Sequence, residues 1–105
     1  MANNSNAKAF DAVVLMEQRI WDGVSQRGAN WVVFAAEVLA HIEEYTVPQY
    51  GDAGADAASD YTAADIVCQI KKYAARHGRN ARAGQDRLDA LKIAHYAQML
   101  ANKLG

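Results

Sequence analysis

The sequence predicts an all-α fold, a four-helix bundle-like domain expected to pair as a dimer. Alanine recurs throughout, proline occurs once (Pro48), and no stretch alternates β-branched with polar residues as a half-buried strand would. The chain has 105 residues and a mass of 11.4 kDa, the length of one domain. Hydrophobic residues make up 51% and charged residues 22%, a balance that suits a globular core rather than a disordered chain.

The first helix is expected over about 6–22, where Phe10, Val13, Val14, Ile20 and Trp21 fall on one stripe at helical spacing. Glu17 sits in the middle of that stripe, an unexpected place for a charge. The segment 23–28, rich in glycine and polar residues, reads as a turn. Asn30 is then the expected N-cap of a second helix over 31–45, with Trp31, Phe34, Ala35, Val38, Ile42 and Tyr45 on its apolar side. Pro48 is expected to stop that helix and open a long loop, 46–61. Thr62 and Asp65 resemble a capping box for a third helix over 63–77, which buries Ile66, Val67, Ile70, Tyr73 and Ala74. Gly78 suits its C-terminal exit. After a short basic connection the fourth helix spans 85–103, with apolar residues on more than one stripe.

Several function classes drop out. No apolar run is long enough to cross a membrane, and the polar N-terminus lacks the apolar core of a secretion signal. A single cysteine, Cys68, forms no internal disulfide; flanked by Ile66, Val67 and Ile70, it reads as a small buried hydrophobe. The expected setting is therefore the cytoplasm. The serines lack a neighbouring His/Asp pattern, which argues against a hydrolase triad.

The net charge of −1 conceals an asymmetry. Residues 1–65 carry Lys8, Arg19 and Arg27 against ten acids, whereas residues 66–105 carry eight bases against Asp86 and Asp89. The two halves can neutralise each other, or the basic half can take an anionic partner. Lys72, Arg76 and Arg79 follow one another at spacings of four and three, with Arg82 close behind, around a loop containing Gly78, Asn80 and Gly84. Such a group can hold phosphate oxygens, with help from the free N–H groups that open the fourth helix. Lys72, Arg76, Arg79 and Arg82 are thus the candidate ligand-binding residues. Nucleic acid is not the expected partner, because the chain as a whole is not basic.

Acids give a second constellation. Glu37, His41 and Glu44 share a helical face, and Asp86 and Asp89 share another. Glu37, Glu44, Asp86 and Asp89 are the candidate ligands for Mg²⁺, an ion that needs few carboxylates when phosphates complete its shell. Catalytic residues are not assigned.

The stretch from Gln69 to Asn80, with its Lys72-Tyr73, Arg76 and Gly78, followed by Asp89-Ala90-Leu91-Lys92-Ile93-Ala94-His95-Tyr96, resembles small bacteriophage proteins of unassigned role. The layout is also similar to the all-α, MazG-like nucleoside triphosphate pyrophosphohydrolases. Those pair an E-x-x-E helix with an E-x-x-D helix around magnesium in a dimeric bundle. The nearest equivalents here are His41-x-x-Glu44 and Asp86-x-x-Asp89, in which His41 and Asp86 replace glutamates. The resemblance implies a helical dimer and a phosphorylated ligand more than it implies catalysis. The leading expectation is a phage-type protein that binds a nucleotide or similar phosphorylated small molecule. The alternative is an inhibitor or adaptor that contacts a host protein through an acidic or apolar surface, for which Glu43, Glu44, Asp52, Asp56 and Asp60 supply charge.

Overall fold

A computed structural model of the chain describes residues 4–52 and 60–105, with side chains from Lys8 onward. Among these residues the fold is all-α and bundle-like, with four long helices and no strand. The chain divides into two compact units, Met1–Phe34 and Ala35–Gly105.

The first unit holds α1 (Asn4–Trp21) and the opening turns of α2 (Gln26–His41). α1 closes where the Asp22 N–H donates to the Gln18 carbonyl and Gly23 turns to φ +93°. α2 starts at Gln26, not at Trp31, and Asn30 is not its cap. Ser25 does that work: its Oγ accepts the Gly28 N–H at 3.1 Å. Gly28, which reads as a turn residue, is carried inside the helix at a cost of about 1 kcal/mol. Asn30 then lies within the helix and accepts a hydrogen bond from Gln26 Nε2 at 2.8 Å. Trp31 and Phe34 lean on each other one turn further on, with ring centres 5.8 Å apart.

Pro48 does not stop the second helix, contrary to expectation. A π-helical turn, Ile42–Thr46, follows α2 directly, and the single-turn α3 (Val47–Tyr50) follows that. In an ordinary helix the proline ring collides with the carbonyl four residues back and removes a hydrogen bond. Here the Val47 N–H reaches back to the Ile42 carbonyl, five residues away, so the turn is widened just before the proline. Helix ends instead at Gly51, whose φ of +82° is open to glycine at no steric cost. The expected loop 46–61 is therefore helical as far as Tyr50; its stretch 53–59, with Asp56, lies outside the described residues.

In the second unit α4 (Ala63–Ala75) and α5 (Gln85–Leu104) pack against each other. The Thr62–Asp65 capping box forms in both directions: Thr62 Oγ1 accepts the Asp65 N–H at 3.1 Å, and Asp65 Oδ2 accepts the Thr62 N–H at 2.9 Å. That donation holds the Asp65 carboxyl below its ordinary range. The core between the helices is Ile66, fully buried, with Met99, and Ile70, Tyr96 and Leu100 pack around them. Ala74 is exposed, and so is Cys68. The stripe through Ile66, Ile70 and Tyr73 fixes the buried side of α4, and Cys68 points the other way.

Candidate anion-binding corner

Two left-handed glycines, Gly78 at φ +76° and Gly84 at φ +80°, bracket the basic connection between α4 and α5. Between them the backbone closes on itself: the Arg79 N–H donates to the Arg76 carbonyl and the Gln85 N–H to the Arg82 carbonyl. The connection is also tied down by a side chain. Asn80 Nδ2 donates to Asp86 Oδ1 at 2.7 Å and to Asp89 Oδ2 at 3.1 Å. Gln85 Nε2 completes the cradle with a 2.8 Å bond to Asp89 Oδ1.

Among the described residues Asp89 is the buried charge, 3% exposed. Burial alone would raise its pKa. The hydrogen bonds from Gln85 and Asn80 and the charges of Arg76 and Lys92 outweigh that, and its carboxyl is held below the ordinary range. Arg76 Nε lies 3.6 Å from Asp89 Oδ2.

The aromatic ring of Tyr73 gathers cations. The ammonium groups of Lys72 and Lys92 and the guanidinium of Arg76 lie 5.1, 5.3 and 5.4 Å from its centre. Tyr96 stacks against it with centres 6.0 Å apart. Burial, and then the neighbouring phenols Tyr73, Tyr61 and Tyr50, push the Tyr96 hydroxyl above its ordinary value. Of the four predicted ligand-binding residues, Lys72 and Arg76 are thus brought together on one ring. Arg79 and Arg82 are exposed on the tethered connection and form no ion pair among the described residues. Lys92 and Tyr73 belong to the same corner, although periodicity predicts Tyr73 as a core residue.

The acidic constellation comes out differently. No group of three or more His, Cys, Asp or Glu side chains is placed to hold a metal ion among the described residues. Glu37 pairs with Arg87. Asp86 and Asp89 share the Asn80 amide, and Asp89 also answers Arg76. Glu44 is exposed on the π turn. The expected face of Glu37, His41 and Glu44 assumed a 3.6-residue period, and the wide turn after His41 breaks that period before Glu44 is reached. These four acids do not fit a protein-built Mg²⁺ site, because three of them are engaged by cations or amides of their own chain.

His41 stacks on Tyr45, 5.2 Å between ring centres, and both its ring nitrogens are buried without a hydrogen-bond partner. Burial, and then the Lys92 ammonium, hold the His41 imidazole below its ordinary pKa. The half-buried His95 is held low by burial and then by His41. Both rings therefore favour the neutral form.

Comparison of the chain with protein-family models, with curated proteins and with solved structures gave no match.

Proposed function

We propose that the chain is a small ligand-binding protein, of the phage-encoded type its sequence resembles, and that the α4–α5 corner takes a phosphorylated small molecule such as a nucleotide. One observation carries this reading: three cations, Lys72, Arg76 and Lys92, surround one tyrosine ring, and Asp89 is the only acid in an ion pair with any of them among the described residues. A phosphate group supplies the missing negative charge and accepts several N–H donors at once. Arg79 and Arg82 are the reach of the site, and Tyr73 offers an aromatic edge beside it. Asp89 and Asn80 position the corner rather than contact the ligand. Any Mg²⁺ would arrive on the ligand's own phosphates, since Glu37, Asp86 and Asp89 are engaged by groups of their own chain.

The test is a thermal shift series with nucleoside triphosphates and inorganic pyrophosphate, with and without Mg²⁺. Binding raises Tm with ligand concentration by mass action. The double variant Arg79→Ala/Arg82→Ala should weaken binding about tenfold or more while leaving the Tm of the free protein unchanged, because both side chains are exposed and unpaired within the described chain. A flat response across the whole panel removes the phosphate reading. A salt-sensitive complex with a basic protein would then favour the acidic-surface adaptor.

A further inference from the structure

The end of α2 is tied to α5 by the Glu37–Arg87 pair. One turn further on, His41 stacks on Tyr45 of the π turn, with ring centres 5.2 Å apart. Both nitrogens of the His41 ring are buried, and neither has a hydrogen-bond partner among the described residues. All of these residues lie within the unit Ala35–Gly105.

The surroundings of the ring decide what a proton does there. From α5, the Lys92 ammonium and the half-buried His95 act on it. From its own helix and the π turn, Glu37 and Glu44 stand on either side in sequence and Tyr45 covers one face. Glu37 is engaged by Arg87, and Glu44 is exposed. No ion pair joins His41 to an acid among the described residues. A neutral imidazole carries one donor and one acceptor, whereas the protonated ring carries two donors and a charge. Burying that charge beside an ammonium and a second imidazole, with no acceptor at hand, is unfavourable. In an open arrangement water accepts both N–H groups.

We infer that the contact between the end of α2 and α5 is an acid-sensitive latch, closed around a neutral His41 near pH 7.5 and released as His41, with His95 beside it, takes up protons. Histidines held below their ordinary value of 6.5 bind fewer protons in the closed form than in the open one. Closure is therefore fully favoured above about pH 6.5 and weakens as pH falls below it. Each histidine that stays neutral in the closed form shifts the opening equilibrium about tenfold between pH 7.5 and pH 5.5. Asp89 acts in a lower window, below 3.8, so the two effects separate on the pH axis. The latch needs no ligand at the phosphate corner, although Lys92 belongs to both.

The experiment is native-state amide hydrogen exchange of the full chain, corrected for the intrinsic effect of pH on exchange. The amides of the π turn and α3 should be less protected than those around Ile66, and should lose about tenfold or more in protection from pH 7.5 to pH 5.5. His41→Phe keeps an aromatic ring for Tyr45 but cannot take a proton, and should make that loss at least about threefold smaller. His41→Gln, which has no ring to stack, should do the same, so that lost packing alone does not account for the change. The His41 imidazole, followed by NMR, should titrate below 6.5. Protection that does not change with pH overturns the latch, as does a loss that both substitutions leave intact. A His41 titration at or above 6.5 also overturns it. So does exchange of the π turn at the same rate as the Ile66 region, which would mean that this segment opens only when the whole unit unfolds.

Discussion

α1 and the α4–α5 pair start from the same raw material and reach opposite states. Both carry an apolar stripe interrupted by one acid, Glu17 on α1 and Asp89 on α5. On α5 the acid is buried, and Arg76, Asn80 and Gln85 answer it. On α1 the whole stripe is exposed, and its acid has no such cradle of donors among the described residues. The difference shows that an amphipathic pattern only permits packing. What converts permission into a packed pair here is a set of polar anchors: a capping box at Thr62, two left-handed glycines, and a buried carboxylate that accepts hydrogen bonds from Asn80 and Gln85.

The sharpest way to break this contrast is to cut equal volumes from the two regions. Ile66→Ala should cost about 3 kcal/mol in urea denaturation, since it removes a fully buried side chain and leaves a cavity. Leu15→Ala, on an exposed face of α1 away from the stripe, should stay within about 0.5 kcal/mol. Equal losses would erase the distinction.

A smaller effect, about 2 kcal/mol, is expected from Asp89→Asn at neutral pH, because Arg76 loses its counter-charge while partly exposed to water. The pH dependence gives the sign. A carboxyl held below its unfolded value stabilises the fold above that value, near 3.8, and the stabilisation is lost as pH falls through the lower folded pKa. Wild type should therefore lose Tm on acidification below about pH 4, and Asp89→Asn should lose less over the same interval. Parallel acid profiles for the two proteins would show that Asp89 is not the anchor.

A smaller change, of opposite sign, is expected in the first unit. A Cβ at Gly28 meets Ser25 Oγ and Val24 Cβ at 3.4 Å, ordinary contact, and the backbone there is helical. Gly28→Ala should raise stability by about 0.5–1 kcal/mol in thermal melts. A loss instead would mean that the Ser25 cap cannot tolerate the methyl group.

Much of this architecture was legible from residue spacing. The helix over Ala63–Ala75 announced itself through Thr62, Asp65 and Gly78, whose local chemistry needs no distant partner to be read. The start of α2 was misread because Asn30 and Ser25 are both good caps, and only competition between the two helix registers decides. The basic residues around the connection were legible as a group, but their hub was not. Tyr73 reads as core from periodicity alone, and only the placement of α5 beside α4 brings Lys92 to it. Asp89 carried a signal that went unused as a metal ligand: it lies on the stripe with Tyr96, Met99 and Leu100, so it had to be buried. An acid on a core stripe calls for donors, and Asn80 and Gln85 were the nearest in sequence. Glu44 lies on the widened turn, which leaves no residue signature beyond the proline that follows it.

That widened turn and Pro48 also constrain each other. Deleting one residue from Ile42–Thr46 would restore the usual pitch and drive the pyrrolidine ring into the carbonyl behind it. Replacing the proline while keeping the extra residue would leave a loosened backbone with no ring to accommodate. The wide turn and the imino acid therefore belong together: the ring needs the added room, and the added room serves the ring.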